Sequence, residues 1–174
     1  MGLIATDSGG KHFPVCPEGM HQAVCVDIVD LGLMDNKFNP GGAKQHKARI
    51  VWQVEDEEPE TGKRFEVSRM YTVSLNEKAS LRRDLQGWRG RTFAADELKG
   101  FDLEKLLGVN GQVNVVHYTE PDNGKVYANV QTIVPLSKGQ EKIAQRDYVR
   151  VKDRDKSAQA HAESDANEDS EVPF

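Results

Sequence analysis

The residues from Lys47 to Val54 alternate strictly between two faces, and this stretch limits the possible folds more than any other. Ala48, Ile50, Trp52 and Val54 share one parity, whereas Lys47, Arg49, Val51 and Gln53 share the other. Neighbouring side chains of a β-strand point to opposite faces. The pattern therefore predicts a half-buried strand with an apolar inner face and a partly basic outer face.

Four further segments are rich in strand-forming residues. One precedes Lys47, from His21 to Leu33, and three follow it: Arg64 to Leu75, Gln112 to Tyr118 and Val126 to Val134. The turn Pro121-Asp122-Asn123-Gly124 joins the last two as a hairpin. In the third strand Arg69 shares the parity of Phe65, Val67 and Tyr71. Either Arg69 interrupts the core face, or a bulge near Ser68 shifts the register.

A helical insertion separates the third strand from the fourth. Ser74-x-x-Glu77 reads as a capping box, and Leu81, Leu85 and Trp88 follow at helical spacing. Asp102 is placed to cap a second short helix that ends at Gly108. Three strands, a helix and two strands is the element order of the five-stranded OB barrel. We therefore expect an all-β fold, an OB barrel with a helical insertion over residues 20–136, after an extended lead-in over residues 1–19.

The periodicity fades from Ser137, and residues 152–171 contain no aromatic and no β-branched side chain. Such a stretch buries too little apolar surface to offset the entropy of ordering, so residues 137–174 are predicted to be a disordered acidic tail. The net charge of the chain is −5, and residues 151–174 contribute −4 of it. The acidity is thus concentrated at one end, and the net charge does not exclude a nucleic-acid ligand.

The sequence favours a cytoplasmic protein that is neither an enzyme nor a carrier of a cofactor. It has no secretion signal and no apolar run long enough for a membrane span. It also lacks a phosphate-binding glycine loop, an H-E-x-x-H motif and a nucleophile elbow. His12, Cys16, His21 and Cys25 leave a zinc site open as an alternative, but Cys25 lies in an apolar strand, where a buried thiol is the simpler interpretation.

Basic and aromatic residues follow the outer faces and loops where an OB barrel binds single-stranded nucleic acid, which requires cations for phosphates and aromatic faces for bases. Tyr71 and Tyr127 are the stacking candidates, with Phe38 and Trp52 as further ones. Core packing is the alternative for Trp52, which shares its face with apolar residues. Whether Tyr71 faces the core or the solvent depends on the bulge near Ser68. The basic candidates are Lys37, Lys44, Lys47, Lys63, Arg49, Arg64, Arg69 and Lys125.

The sequence ends in Glu168-Asp169-Ser170-Glu171-Val172-Pro173-Phe174, an apolar tripeptide after a polar stretch. Pro173 stiffens the backbone and lowers the entropy lost on docking. Phe174 offers a buried anchor, and a terminal carboxylate is a charge that an Arg or Lys can bind. Asp169 and Glu171 steer this end towards a basic groove. We therefore predict that it docks on partner proteins.

These last seven residues resemble the C-terminal tip of bacterial single-stranded DNA-binding proteins. Asp169 and Glu171 match the acidic positions, Val172 replaces the usual Ile, and Pro173 and Phe174 match. The resemblance implies a protein that coats single-stranded DNA in replication, recombination and repair, and that docks on helicases, nucleases, primosome and clamp-loader proteins.

Three segments of the body resemble small bacteriophage proteins encoded among replication and recombination genes: Ser74 to Lys78, Gly87 to Arg91 and Asn114 to His117. This resemblance implies the cytoplasm of a bacterial host and tells against the housekeeping tetramer, leaving a homo-oligomer of another kind open. The main alternative is a phage-type interaction protein that copies the tip and occupies host repair and replication proteins without binding DNA. A metal-dependent nuclease is a third possibility.

Overall fold

Five antiparallel strands form one sheet in the computed structural model, which describes residues 14–154. The strand order is β3-β2-β1-β4-β5. The strands are β1 (Gly19–Met34), β2 (Gln45–Glu57), β3 (Arg64–Thr72), β4 (Asn110–Thr119) and β5 (Val126–Val134). Between β3 and β4 lie α1 (Ser80–Arg89), α2 (Ala95–Leu98) and a 3₁₀-helix (Leu103–Leu106). Of the predicted all-β fold with a helical insertion, the coarser part is confirmed: the chain is mostly β, with short helices between β3 and β4.

The sheet curls because β1 is long and bulged. Its first residues pair with β4, and its whole length from Ala23 pairs with β2, with register shifts at Val26 and Leu31. Bulges bend a strand and increase its twist. The edge strands β3 and β5 therefore approach each other, but no backbone ladder joins them, and the sheet stays open. We expected a closed or nearly closed barrel over residues 20–136, and the closed form is corrected to an open sheet.

The physical reason lies in the side chain of Arg69, which occupies the space between the two edges. Its guanidinium Nη1 donates to the carbonyl of Gln131 on β5 at 2.7 Å, so a side chain links the two edges where a closed barrel would have backbone hydrogen bonds. The pairing of β2 with β3 is continuous from Lys47–Thr72 to Gln53–Glu66. There is accordingly no bulge near Ser68, and Arg69 interrupts the core face.

The core lies between the inner face of the sheet and α1. Trp52 is fully buried and meets the edge of Trp88 of α1, with ring centroids 5.8 Å apart. The indole N–H of Trp88 donates to the carbonyl of Asn110 at 2.9 Å. A Cβ at Gly111 would lie 2.6 Å from the same indole nitrogen, so this position requires glycine. Two tryptophans thus fix how the helix sits on the sheet.

The start of α1 differs from the prediction. The helix begins at Ser80, and its N-cap residue is Ala79. The Ser74 hydroxyl instead accepts the N–H of Asn76, whose side chain accepts the N–H of Lys78, so these groups close a local turn. Side chains of this type compete with the helix for backbone donors. The short helix capped by Asp102 is confirmed, and α2 was not predicted.

Residues 137–154, predicted to be disordered, lie against the sheet, so this part of the tail prediction is wrong. Residues 140–151 cross the outer face of β1 and β2, and we call them the strap. Ile143 and Tyr148 pack on an apolar cluster formed by Val24, Val26 and Val51. The side chain of Gln53 donates to the carbonyl of Arg146 and accepts its N–H, at 2.7 and 2.8 Å. Residues 155–174, with the tip, and residues 1–13 lie outside the described part of the chain.

No helix within residues 14–154 is long and apolar enough to span a membrane.

Candidate nucleic-acid interface

The outer face of β1, β2 and β3 has a covered half and an open half. The strap covers the half that contains Val24, Val51 and Gln53. On the open half Lys47 stands opposite Thr72, and Arg49 stands opposite Met70. Arg49 is exposed, and the side chain of Met70 is 44% exposed. We call these four residues, together with the loop residues Lys37, Phe38 and Lys44, the basic patch.

The loop between β1 and β2 extends the open half beyond the sheet. Phe38 is 97% exposed, which is exceptional for a phenylalanine. The Asn36 side chain accepts the N–H of Phe38 at 3.0 Å and so orders the turn that presents the ring. The loop, Lys47, Met70 and Thr72 enclose a groove of about 350 Å³. An aromatic ring and a methionine therefore line the same groove as lysine side chains.

The charges of the basic patch are free to meet an external anion. None of its four cations forms a salt bridge with a carboxylate within residues 14–154. The ammonium group of Lys47 donates to the hydroxyl of Thr72, which orients it on the outer face. The nearby carboxylate of Asp30 is paired with His46 at 2.6 Å. The open half therefore has an excess of positive charge, with four cations against the nearby carboxylates of Asp30 and Asp35.

Two of the predicted stacking residues are core residues, and these predictions are corrected. Trp52 is fully buried, and Tyr71 is only 3% exposed. The Tyr71 hydroxyl donates to the Asp84 carboxylate at 2.8 Å, and burial together with that negative charge raises the pKa of Tyr71 above its usual range. Because β3 has no bulge, Tyr71 keeps the parity of the core face. Neither ring is accessible to a base.

Two predicted phosphate contacts have structural roles instead. The Arg69 guanidinium pairs with Asp84 at 3.2 Å besides its bond to β5. The Arg64 guanidinium donates to the carbonyl of Ala144 at 2.7 Å and so holds the strap. A further cation, Lys63, follows the turn in the β2–β3 loop, away from the patch residues. The sequence pattern identified these side chains as basic but gave no sign of their partners.

Lys125 and Tyr127 form a second, separate cluster on the last hairpin. Tyr127 is 39% exposed, and the Lys125 ammonium lies 5.0 Å from the centre of its ring. They line a groove of about 810 Å³ beside the gap between β3 and β5, and this groove shares no residue with that of the basic patch. The predicted residues are therefore divided between two surfaces.

Two exposed side chains that belong to these surfaces were not predicted from the sequence. Met70 has the outer parity of β3, opposite Arg49. Tyr118 stands directly opposite Tyr127 and is 52% exposed. Both follow from strand register: the parity of β3 gives Met70, and counting outwards from the 121–124 turn pairs Tyr118 with Tyr127.

The described residues of the zinc hypothesis, Cys16, His21 and Cys25, each have their own surroundings and do not form a shared site. Burial raises the pKa of both Cys16 and Cys25 to about 12, which keeps each thiol protonated. The His21 ring contacts the carbonyl of Pro17 and the carboxylate of Asp56. No group of three possible metal ligands occurs within residues 14–154, and His12 lies outside them.

Comparisons with known proteins add no assignment: the chain matches no protein-family model. Among curated proteins no match was found either.

Proposed function

We propose that this chain is a single-stranded DNA-binding protein that holds its ligand on the basic patch without sequence preference. The single observation that carries the proposal is the open half of the sheet, where cations that form no salt bridge within residues 14–154 border an exposed phenylalanine. The strand order and the helix between β3 and β4 support an OB-type arrangement, and OB folds bind oligonucleotides on this face and its loops.

The chemistry of the patch favours unpaired over paired strands. Lysine and arginine groups bind phosphates, which carry no sequence information. The ring of Phe38 offers a face on which any base can stack, and a base is free to do so only when it is not paired. Met70 adds a polarisable apolar surface beside Arg49. Together these groups bind a flexible, charged strand with exposed bases.

Recruitment of other proteins belongs to the same proposal. The tip, Asp169, Glu171, Val172, Pro173 and Phe174, lies outside the described residues, and its role follows from its chemistry and its resemblance. We propose that it docks on replication and repair proteins, such as helicases, nucleases or primosome proteins, while the sheet holds the DNA.

The test is an anisotropy titration of labelled oligo(dT) with the full chain and two double variants. Lys47→Ala with Arg49→Ala removes two patch cations. Lys99→Ala with Lys138→Ala removes two exposed cations elsewhere and serves as the matched control. Each lost phosphate contact should make the plot of log affinity against log salt shallower by about 0.7. We expect a change of about 1.4 for the patch variant and none for the control.

Equal effects of the two variants would mean that general charge attracts the DNA, and the patch assignment would fail. Absence of binding by the unmodified chain would overturn the proposal itself. The interaction protein that uses only its tip would then become the better explanation.

A further inference from the structure

An apolar cleft lies away from the basic patch, between the end of α1, α2 and the start of β4. Leu85, Trp88, Phe101, Leu106 and Val109 form its walls, and its volume is about 330 Å³. Val109 is 41% exposed although it is apolar. A cleft of this size is at the lower end of the range for ligand pockets, and it suits one or two side chains rather than a large molecule.

The rim of this cleft has an excess of positive charge. Arg89, Arg91 and Lys105 line it, against the single carboxylate of Glu97. Glu97 is already paired with Arg89 at 2.8 Å. The other terminal nitrogen of Arg89, Nη1, is buried and has no hydrogen-bond partner within the described residues. Arg91 and Lys105 form no salt bridge within residues 14–154. The cleft thus combines an apolar floor with unused cationic donors.

We propose that the occupant of this cleft is the segment Glu168–Phe174 of the same chain. Residues 155–174 carry six acidic side chains and one lysine, the charge pattern that complements the rim. Val172 and Phe174 match the apolar floor, and Pro173 lowers the entropy lost on docking. In this arrangement the acidic residues would contact the cationic rim, and the apolar residues that directly follow them would contact the apolar floor.

The length of the chain outside the structure allows this docking. Twenty residues follow Arg154, and a coil of that length has an end-to-end distance of about 25 Å. The strap also ends near the cleft. The Arg150 guanidinium forms two hydrogen bonds with the carboxylate of Glu104, at 2.8 and 2.9 Å, and the next residue, Lys105, lines the cleft. The chain therefore leaves the folded unit within reach of its binding site.

Docking in the cleft would make the tip unavailable to other proteins until a partner with higher affinity displaces it. The cleft and the groove of the basic patch share no residue. This inference therefore does not rest on DNA binding and can be tested separately.

The experiment places a nitroxide spin label on Ser170→Cys in the full chain and records amide signals by NMR. Cys16 and Cys25 are 2% and 1% exposed, so the label reacts at residue 170. We expect the amide signals of Arg91, Lys105 and Val109 to lose more than half of their intensity. The rest of the folded surface should change little.

Three variants of the labelled chain test whether the signal loss comes from docking of Phe174 in the cleft. Val109→Glu places a carboxylate in the cleft, and Phe174→Ser removes the anchor without touching the folded unit. Both should restore the signals around the cleft. Met20→Glu, on an apolar residue of 51% exposure in β1, is the matched control and should leave them weakened.

Uniform weakening over the surface, or weakening centred on Lys47 and Arg49, would overturn the proposal. So would cleft signals that stay weak in Phe174→Ser. A mixture of labelled chains without ¹⁵N and unlabelled chains with ¹⁵N tests the remaining case. Weakening of comparable size in the mixture would show docking between two copies and refute docking within one chain.

Discussion

The buried carboxylate of Asp27 is the main attachment of the strap, so its replacement by Asn should loosen the strap and destabilise the fold. Asp27 is 1% exposed and accepts hydrogen bonds from the Tyr148 hydroxyl, the Arg150 guanidinium and the N–H of Val151, at 2.9, 3.0 and 2.9 Å. Burial alone would raise the pKa of Asp27, but these three donors outweigh it and hold the pKa below its usual value.

Breaking a buried ion pair by removing one partner costs about 3–5 kcal/mol. Arg150 keeps its second partner, Glu104, and is 17% exposed, so we expect the lower end, about 3 kcal/mol, for Asp27→Asn. Tyr148→Phe removes one hydrogen bond to a charged group and should cost about 1.5 kcal/mol. Urea unfolding, followed by tryptophan fluorescence, measures the free energy of unfolding. Limited proteolysis within residues 140–151 measures release of the strap.

Asp30→Asn is the matched control, since this carboxylate lies in the same strand and its side chain is 72% exposed. It should change neither the unfolding midpoint nor the proteolysis of the strap. An Asp27→Asn protein that unfolds within about 0.5 kcal/mol of the parent, with its strap still protected, would refute the reasoning, because a surface substitution has effects of that size.

The remaining predictions concern the patch, the core and the effect of pH. Phe38→Ala should weaken oligo(dT) binding by about 1–3 kcal/mol without moving the urea midpoint, whereas Tyr71→Phe should lower stability and leave the affinity unchanged. Gly111→Ala should destabilise by about 1–3 kcal/mol in thermal or urea unfolding, because its Cβ would overlap the Trp88 indole. The folded pKa of Asp27 is depressed, so its contribution is complete above the usual aspartate pKa of about 3.9 and is lost as the pH falls through the lower folded value. Release of the strap between pH 5 and 7, seen in amide NMR signals, would contradict this.

Strand positions were predictable because a half-buried strand has an unambiguous period of two. The inner face of β2, Ala48 to Val54, and the bounds of β5, Val126–Val134, agree with the structure. The sequence did not decide whether Arg69 interrupts the core face or a bulge near Ser68 shifts the register. Parity placed it on the core face, but only the fold shows that it bridges to β5 and pairs with Asp84.

The strap was not predictable because its apolar residues are isolated and its partners are distant in the chain. Ile143 and Tyr148 stand among polar residues, so local composition indicates a tail. The strap is held on the sheet by contacts with Val51 and with buried polar side chains such as Asp27 and Gln53. These partners lie about ninety or more positions earlier in the sequence. The predicted binding site lost Arg64 for the same reason. The sequence shows that this residue is basic, but its guanidinium donates a hydrogen bond to the strap residue Ala144, which lies far away in the chain.

The most direct test of the central claim compares oligo(dT) with a duplex of equal length, titrated with the full chain at several salt concentrations. We predict binding to the single strand with a slope of log affinity against log salt of about −3, from four patch cations at about 0.7 each. We expect much weaker binding to the duplex, whose bases are not free to stack on Phe38. Equal affinity for both, or none for either, would contradict the claim.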